Sequence, residues 1–549
     1  LFLCCPMSHP GTSLVRWLRR LNEGFGPRLL VTLLLVHGVL KGFCGGGGTA
    51  GLAGTPVDFL LREFSVDAAS MQVFSAAVFI PWSVKPVMGF VSDAFPICGY
   101  HRLPYFALST VAALVSYIAL PLFPSLPLEP VLVLLFVIIF HMSISDLLAE
   151  AVYSRRIREV PALGPDLVSF VWACIGVGKL ISVSFVGWIM DEFGFRSPYG
   201  VSVPFVALVL LIPFLNLIDE PRKEAKCQPV GQDPALTLVA LVTGFGALAL
   251  SIMSLVGCDL VSKIIAASVL AVIVLGLFSV VLSPVIARVN AFFFVQSLCA
   301  VSIGGASFYF FTDDEEAYPE GPHFSTMFYA SILGLVSTAF SMVGVVAYTH
   351  LMKAWKYRKV LLVGNIAFSA VNMLSCVVFQ RWNVALGISD HAFVLCSSAV
   401  QTAIFEMAWL PGILIMSQLC PEGCEATMFA LLAGAHNLGA NLGSYSGAMM
   451  LRVLHVEPRG APAESAQFDN LWIAAAVAAI GPCIPLALLP MLMPDVSQQD
   501  RIDGVDSATE GSLWSRWAGE SPGVIKKNSN LELRSIVGVS SPEASYAPE

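Results

Sequence analysis

The chain has 549 residues, 56% hydrophobic and only 12% charged, with a formal net charge of -8. A water-soluble protein carries about twice that share of charged residues. The strongly positive mean hydropathy of +0.77 makes lipid the expected solvent for most of the chain. No basic face suggests nucleic acid, and most of the 13 cysteines sit singly inside apolar runs, where they act as small hydrophobes. Cys420 and Cys424 have no second pair, so neither a metal nor a cofactor is expected.

Residues 1–27 form a short basic segment with Arg16, Arg19 and Arg20. No cleavable signal is expected, because the first apolar run continues far beyond a signal's apolar core. Apolar segments of about 20 residues, the length that crosses a bilayer, follow near 29–57, 70–92, 104–123, 130–153, 166–190 and 201–218. A polar break at Asp219–Gln228 separates them from two further segments near 235–257 and 261–282. Six more lie near 288–311, 325–350, 358–379, 391–417, 424–450 and 469–493. From about 495 the chain is polar and reads as a disordered tail.

This pattern predicts an all-α integral membrane protein with fourteen spans arranged as six, two and six. The expected organisation is a cytoplasmic segment over 1–27, a six-helix bundle over 28–218, a linker with an inserted helix pair over 219–287, a second six-helix bundle over 288–494, and a tail over 495–549. With both termini cytoplasmic, about 16 Lys and Arg fall in inside loops and about 6 in outside loops, which agrees with the positive-inside rule. Two six-span halves joined by a charged connection match the pseudo-symmetric plan of major facilitator transporters.

Ionisable groups at membrane depth are costly unless paired or hydrated, so each is a functional candidate. Lys41, Lys85, Asp146, Glu150, Lys179 and Glu406 all fall inside predicted spans. Asp146 and Glu150 are four residues apart and share a helix face. Two such carboxylates cannot both ionise cheaply without a cation nearby, which is the physics of a proton site. A carboxylate can also accept hydrogen bonds from an amino group and a ring N–H of a heterocycle. Lys41 or Lys85 would meet a substrate carboxylate or neutralise the acids. A purely structural charge cluster, compensated by Arg155 and Arg156, is the alternative. Phe308 and Tyr309 close the first span of the second half, either as a stacking surface for a flat ring or as interface anchors. Asn437 and Asn441 share a face, ready to hydrogen-bond between helices or to meet substrate, with His436 beside them. His37 and His141 read as packed histidines in apolar runs.

The loop after the second span carries Gly89-x-x-x-Asp93, then Gly99 and Arg102. Gly89 would let a neighbouring helix approach closely. Asp93, at an unfavourable helix C-terminus, needs a partner such as Arg102, and the pair would latch one face of a two-state carrier. Glu425, at the start of a span, is either a helix-terminal anion or a gate residue.

The wider string PWSVKPVMGFVSDAFPICGYHRLPY, Pro81–Tyr105, resembles the signature of the folate-biopterin transporter family, a branch of the major facilitator superfamily. DLLAEAVYSRRIRE (Asp146–Glu159), GGASFYFFTDD (Gly304–Asp314) and the run Trp409–Gly443 are similar to further motifs of that family. The resemblance covers roughly 30–493 and lies nearest the protozoan branch. It implies a secondary active carrier of folate or biopterin and not an enzyme, with proton coupling, alternating access and a plasma-membrane location as expectations. Its implied partners are the small-molecule substrate, the bilayer and a coupling proton. S-adenosylmethionine or another small organic ion is the alternative cargo, and a pterin sensor that does not translocate is the alternative class. His101 stands where family members often carry Arg, which makes charge there sensitive to pH.

Overall fold

A computed structural model describes residues 10–45, 50–160, 163–222, 234–421, 425–500, 502–505 and 507–517. Gly46–Gly48, Lys223 and Lys226 of the linker, Cys424, and the tail beyond 517 lie outside the described residues. Among the described residues the protein is helical, with two isolated β-bridges and no strand.

The first half holds α1 (Pro10–Phe25), α2 (Pro27–Leu33) continuing as a wide π helix over Leu34–Phe43, α3 (Pro56–Glu63), α4 (Ala68–Phe79), α5 (Pro81–Ala94), α6 (Leu103–Leu122), α7 (Leu128–Glu159), α8 (Gly164–Phe193), α9 (Ser197–Leu208) and α10 (Leu211–Phe214). The inserted pair is α11 (Pro234–Leu255) and α12 (Leu260–Val281). The second half holds α13 (Pro284–Cys299), α14 (Gly304–Thr312), α15 (Leu333–Leu351), α16 (Tyr357–Asn372), α17 (Leu374–Phe379), α18 (Trp382–Ala385), α19 (Asp390–Gln418), α20 (Glu425–Val453), α21 (Leu471–Ile480) and α22 (Leu489–Leu492), with α23 (Leu513–Trp517) in the tail.

Local signals start these helices. Prolines at the first turn open α2, α3, α5 and α13, where the missing N–H costs nothing. Asp67 caps α4 by accepting from Ser70 N at 2.9 Å, and Asp259 caps α12 through Ser262 N at 2.9 Å. The hydrogen bonds from Ser262 hold the exposed Asp259 carboxyl below its ordinary range. On α6, Leu108, Val111, Val115, Ile118 and Leu122 recur every three or four residues and are exposed, which marks a lipid-facing stripe.

Among the described residues, twelve helical spans are long and apolar enough to cross a membrane, or thirteen if α1 and α2 with its π turn count as one span bent by 111°. The count of fourteen is therefore not reproduced by length and composition. The span expected near 424–450 corresponds to α20, which is 29 residues long but interrupted by His436, Asn437, Asn441 and several glycines. The first expected span also ends early: its helix stops at Phe43, and the chain turns at Gly45 and Gly51, whose φ of 80° and 92° suit only glycine.

The inserted pair is not peripheral. α11 packs on α4 and α5 of the first half, while both inserted helices touch α20 of the second. Ser251 Oγ donates to Ala77 O at 3.4 Å, and the hydroxyls of Ser254 and Tyr445 are 3.2 Å apart. The tail likewise departs from expectation. Gln498 is buried, donating to Met352 O at 2.7 Å and accepting from Tyr348 Oη at 2.5 Å, so residues 495–500 are tied to α15 despite their polar composition.

Candidate functional site

Lys41, Lys85, Asp146 and Glu150 converge in one cluster. Asp146 Oδ1 accepts from Lys41 Nζ at 2.8 Å and its Oδ2 accepts from Lys85 Nζ at 2.6 Å. Lys85 Nζ also donates to Glu150 Oε2 at 3.1 Å. The i, i+4 spacing on α7 places both acids on the face that α5 and the π turn cover, and the two lysines arrive from those elements. Two cations and two anions balance, so the cations that relieve two neighbouring carboxylates are supplied by the fold. The side chains of Asp146 and Lys85 are 1% and 7% exposed, those of Lys41 and Glu150 20% and 21%.

Trp82 completes the cluster. Lys41 Nζ lies 5.1 Å and Lys85 Nζ 4.8 Å from the centroid of its ring, within cation–π range of both. Its Nε1 is buried and makes no hydrogen bond among the described residues. Sequence reasoning missed Trp82, although its place three residues before Lys85 puts the two on one helix face. His37 is also drawn in. Its Nδ1 is 3.4 Å from Asp146 Oδ1, out of line for a hydrogen bond, and its ring meets Tyr153 edge-on at 6.0 Å.

A small, open cleft runs from Lys85 past Gly89 to Asp93. Leu147 of α7, Thr237 of α11 and Ala430 of α20 complete its walls, so both halves and the inserted pair line it. Gly89 belongs to this wall and not to a tight helix crossing, which corrects the expectation from its spacing. A Cβ on Gly89 would make ordinary contact with Leu147 at 3.7 Å. The close approaches to α5 are at Gly434, where a Cβ would lie 3.3 Å from Pro86, and at Gly244, where it would collide with Val87.

At the rim, no hydrogen bond or ion pair joins Asp93 to Arg102 among the described residues, though each feels the other's charge. The expected direct latch is replaced by Glu220. Its carboxylate accepts from the backbone N–H groups of His101 at 2.8 Å, Arg102 at 3.1 Å and Leu103 at 3.1 Å, capping α6 from the end of the first half. His101 Nδ1 lies 3.1 Å from Ser92 O. Glu425 opens α20, but its side chain lies outside the described residues.

Other expected site residues stand apart from the cluster. The charge that acts on Glu406 of α19 is Lys179 of α8. Phe308 and Tyr309 are fully buried. Phe308 packs edge-on to Phe59 at 4.9 Å, and Tyr309 Oη donates to Val66 O at 2.6 Å, so neither offers a free ring face here. Asn437 is half-buried on α20, next to His436, whose Nδ1 is 2.6 Å from Ser297 Oγ.

Many apolar helices around a charged cluster and cleft define a multi-pass membrane protein, and solved structures give its fold. The chain aligns with a POT family transporter in complex with a thioalcohol-conjugated peptide at a TM-score of 0.61 and 15% identity, covering 86% of this chain and 98% of that one. A D-xylose-proton symporter aligns at a TM-score of 0.52 and 12% identity, covering 86% and 98%. These place it in the major facilitator fold.

The chain belongs to the BT1 family, whose profile matches residues 48–511. It is 25% identical to "Probable folate-biopterin transporter 6" of Arabidopsis thaliana, over 88% of this chain and 86% of that protein. It is 26% identical to "Folate-biopterin transporter" of Synechocystis, over 81% and 79%. It is 22% identical to "Folate transporter 1" of Plasmodium falciparum, over 84% and 79%.

Proposed function

We propose that this protein is a secondary active carrier of pteridines, folate or biopterin, coupled to protons and working by alternating access. The observation that carries the reading is the charge-balanced cluster of Lys41, Asp146, Lys85 and Glu150 in a membrane-embedded setting beside a cleft. A pteridine presents an amino group and ring N–H on one edge, which a carboxylate accepts. Folate adds carboxylates, which a lysine meets. Such a cargo exchanges with ion pairs already present, so no uncompensated charge is left in lipid when it departs. A proton exchanges in the same way at a carboxylate whose lysine turns to substrate. The names of the relatives support the cargo class.

On this reading both termini are cytoplasmic, the cleft rim at Asp93 faces the cytoplasm and the membrane is the plasma membrane. The excess of Lys and Arg in the loops on that side supports the orientation. Uptake of labelled folate and labelled biopterin by cells lacking their own carrier tests the proposal. Saturable uptake that rises with outside acidity and falls with a protonophore is expected. Surface-expressed protein that moves neither compound overturns the cargo, and uptake indifferent to the protonophore overturns the coupling.

A further inference from the structure

The end of the molecule opposite the cleft rim is closed by direct contact between the halves. Ala68 N donates to Pro458 O at 2.9 Å. Gln72 Nε2 donates to Ser302 O at 3.1 Å and Ser444 O at 3.2 Å. A side chain on Gly305 would run into the Ala68 carbonyl, so α14 lies against α4 backbone to backbone. Into this seam α3 sends Arg62. Its Nη1 donates to Thr312 O at 2.8 Å and to Thr312 Oγ1 at 3.1 Å, and its Nη2 lies 3.1 Å from Asp313 Oδ1. The guanidinium also lies 5.8 Å from the centroid of the Tyr309 ring.

Asp313 is the anomaly in this seam. It is 0% exposed, and neither carboxylate oxygen accepts a hydrogen bond among the described residues. A buried carboxylate ordinarily collects several such bonds when it is ionised. Among the described residues its ion-pair partner is one imperfectly aligned guanidinium, that of Arg62. The other charged groups that act on it are Glu464, from the segment that follows α20, and Asp314 next in the chain, both of which oppose its ionisation, and His323, which favours it. The Glu464 carboxylate is held in place by the backbone N–H groups of Arg459 at 2.8 Å and Gly460 at 3.0 Å, while His323 Nδ1 lies 2.7 Å from Asp313 O.

We propose that Asp313 is a proton-binding site at this sealed end, taking up a proton as the halves close over it and releasing the proton as they part. The inference rests on the reading of the chain as a carrier that opens at this end. Closure removes the carboxylate from water without replacing its hydrogen bonds, so the neutral acid suits the closed state and the anion suits the open one. Burial pushes Asp313 up to about 7, against the pull of Arg62. The sign follows from linkage. The closed state holds its proton below about pH 7, whereas the wetted carboxyl of the open state holds it only in the ordinary carboxylate range. Acid therefore strengthens closure, and the gain is lost as pH rises to about 7. Between those two limits the closed-to-open ratio changes about tenfold per pH unit, and above about 7 it is flat. Arg62, 3.1 Å away, positions the group, but the proton sets the balance.

The test is a distance measurement on the purified full chain in detergent. Spin labels at Ser65 and Ala466, both exposed and on opposite sides of the seam, report closed and open populations from pH 5.5 to 8.5, with the reactive native cysteines replaced. The native chain is expected to gain about 30-fold in closed-to-open ratio between pH 8.5 and pH 5.5. Asp313→Asn is expected to stay closed at every pH. Glu464→Gln, which keeps an acceptor oxygen but removes a charge, is expected to move the onset to lower pH. A flat native profile, a native slope in Asp313→Asn, or an unmoved onset in Glu464→Gln each overturns the proposal. No substrate is present, so a chain that failed to move pteridines would still answer the question.

Discussion

Removing one charge from the cluster should do more harm than removing two. Lys85→Met leaves two carboxylates facing Lys41 alone. Asp146→Asn leaves Lys85 against Glu150 and strands Lys41, whose carboxylate partner among the described residues is Asp146. Each single change therefore creates one uncompensated charge in a region almost closed to water. Two unit charges 4 Å apart attract by about 4 kcal/mol at the effective dielectric that suits protein sites, and the Lys85–Asp146 contact is shorter, at 2.6 Å. Breaking a buried pair from one side costs about 3–5 kcal/mol, whereas replacing both partners by neutral groups is often close to neutral. The double variant leaves Lys41 and Glu150, one cation and one anion. The expected order of thermal stability, read from intrinsic fluorescence of purified protein during heating, is native, then the double variant, then either single variant. For that order to hold, the coupling between the two changes must exceed the cost of either one, about 3 kcal/mol or more on these figures. Penalties that simply add, with coupling below about 0.5 kcal/mol, would refute the claim that charge balance holds this cluster together.

Trp82→Leu removes the ring that both lysines share, and each cation–π pair is worth about 0.5–2 kcal/mol. Pteridine uptake should show a raised KM, and Trp82→Phe should recover part of it; a native KM in Trp82→Leu would remove the indole from the site. Glu220→Ala leaves three backbone N–H groups at the start of α6 without their acceptor. It should cost about 1–2 kcal/mol and raise hydrogen exchange at residues 101–103, with Glu220→Gln intermediate; unchanged exchange would show that the cap is idle.

What the sequence revealed divides along physical lines. Hydropathy is summed over about 20 residues, so nearly every span could be read. The partnership of Asp146 and Glu150 was legible because helix geometry alone sets it. Contacts that depend on two distant elements left no local trace. Glu220 caps a helix that begins 117 residues earlier, and Arg62 reaches a carbonyl 250 residues away. Gly89 shows the opposite error. A glycine at helix spacing permits a close crossing, but the side chains of the partner decide which glycine is used, and here Gly434 and Gly244 take that role. Gln498 misled through composition, because a polar residue can be buried when carbonyls wait to receive its amide.

Exposure orders the four charges in a way that their spacing could not. Lys85 and Asp146 form an inner pair, nearly closed to solvent, while Lys41 and Glu150 are each about one-fifth exposed. An incoming cargo can reach the outer two without first breaking the inner contact at 2.6 Å. Lys41 is then free to turn toward a substrate carboxylate, because Asp146 keeps Lys85. Glu150 would be free to accept from a cargo, because Lys85 keeps Asp146. The inner pair would hold α5 to α7 while the outer pair exchanges partners. If the chain carries pteridines as proposed, a neutral pterin would need Glu150 alone, whereas folate would use both outer groups. On the proposed reading, neutralising Lys41 should therefore penalise folate more than biopterin, and neutralising Glu150 should penalise both.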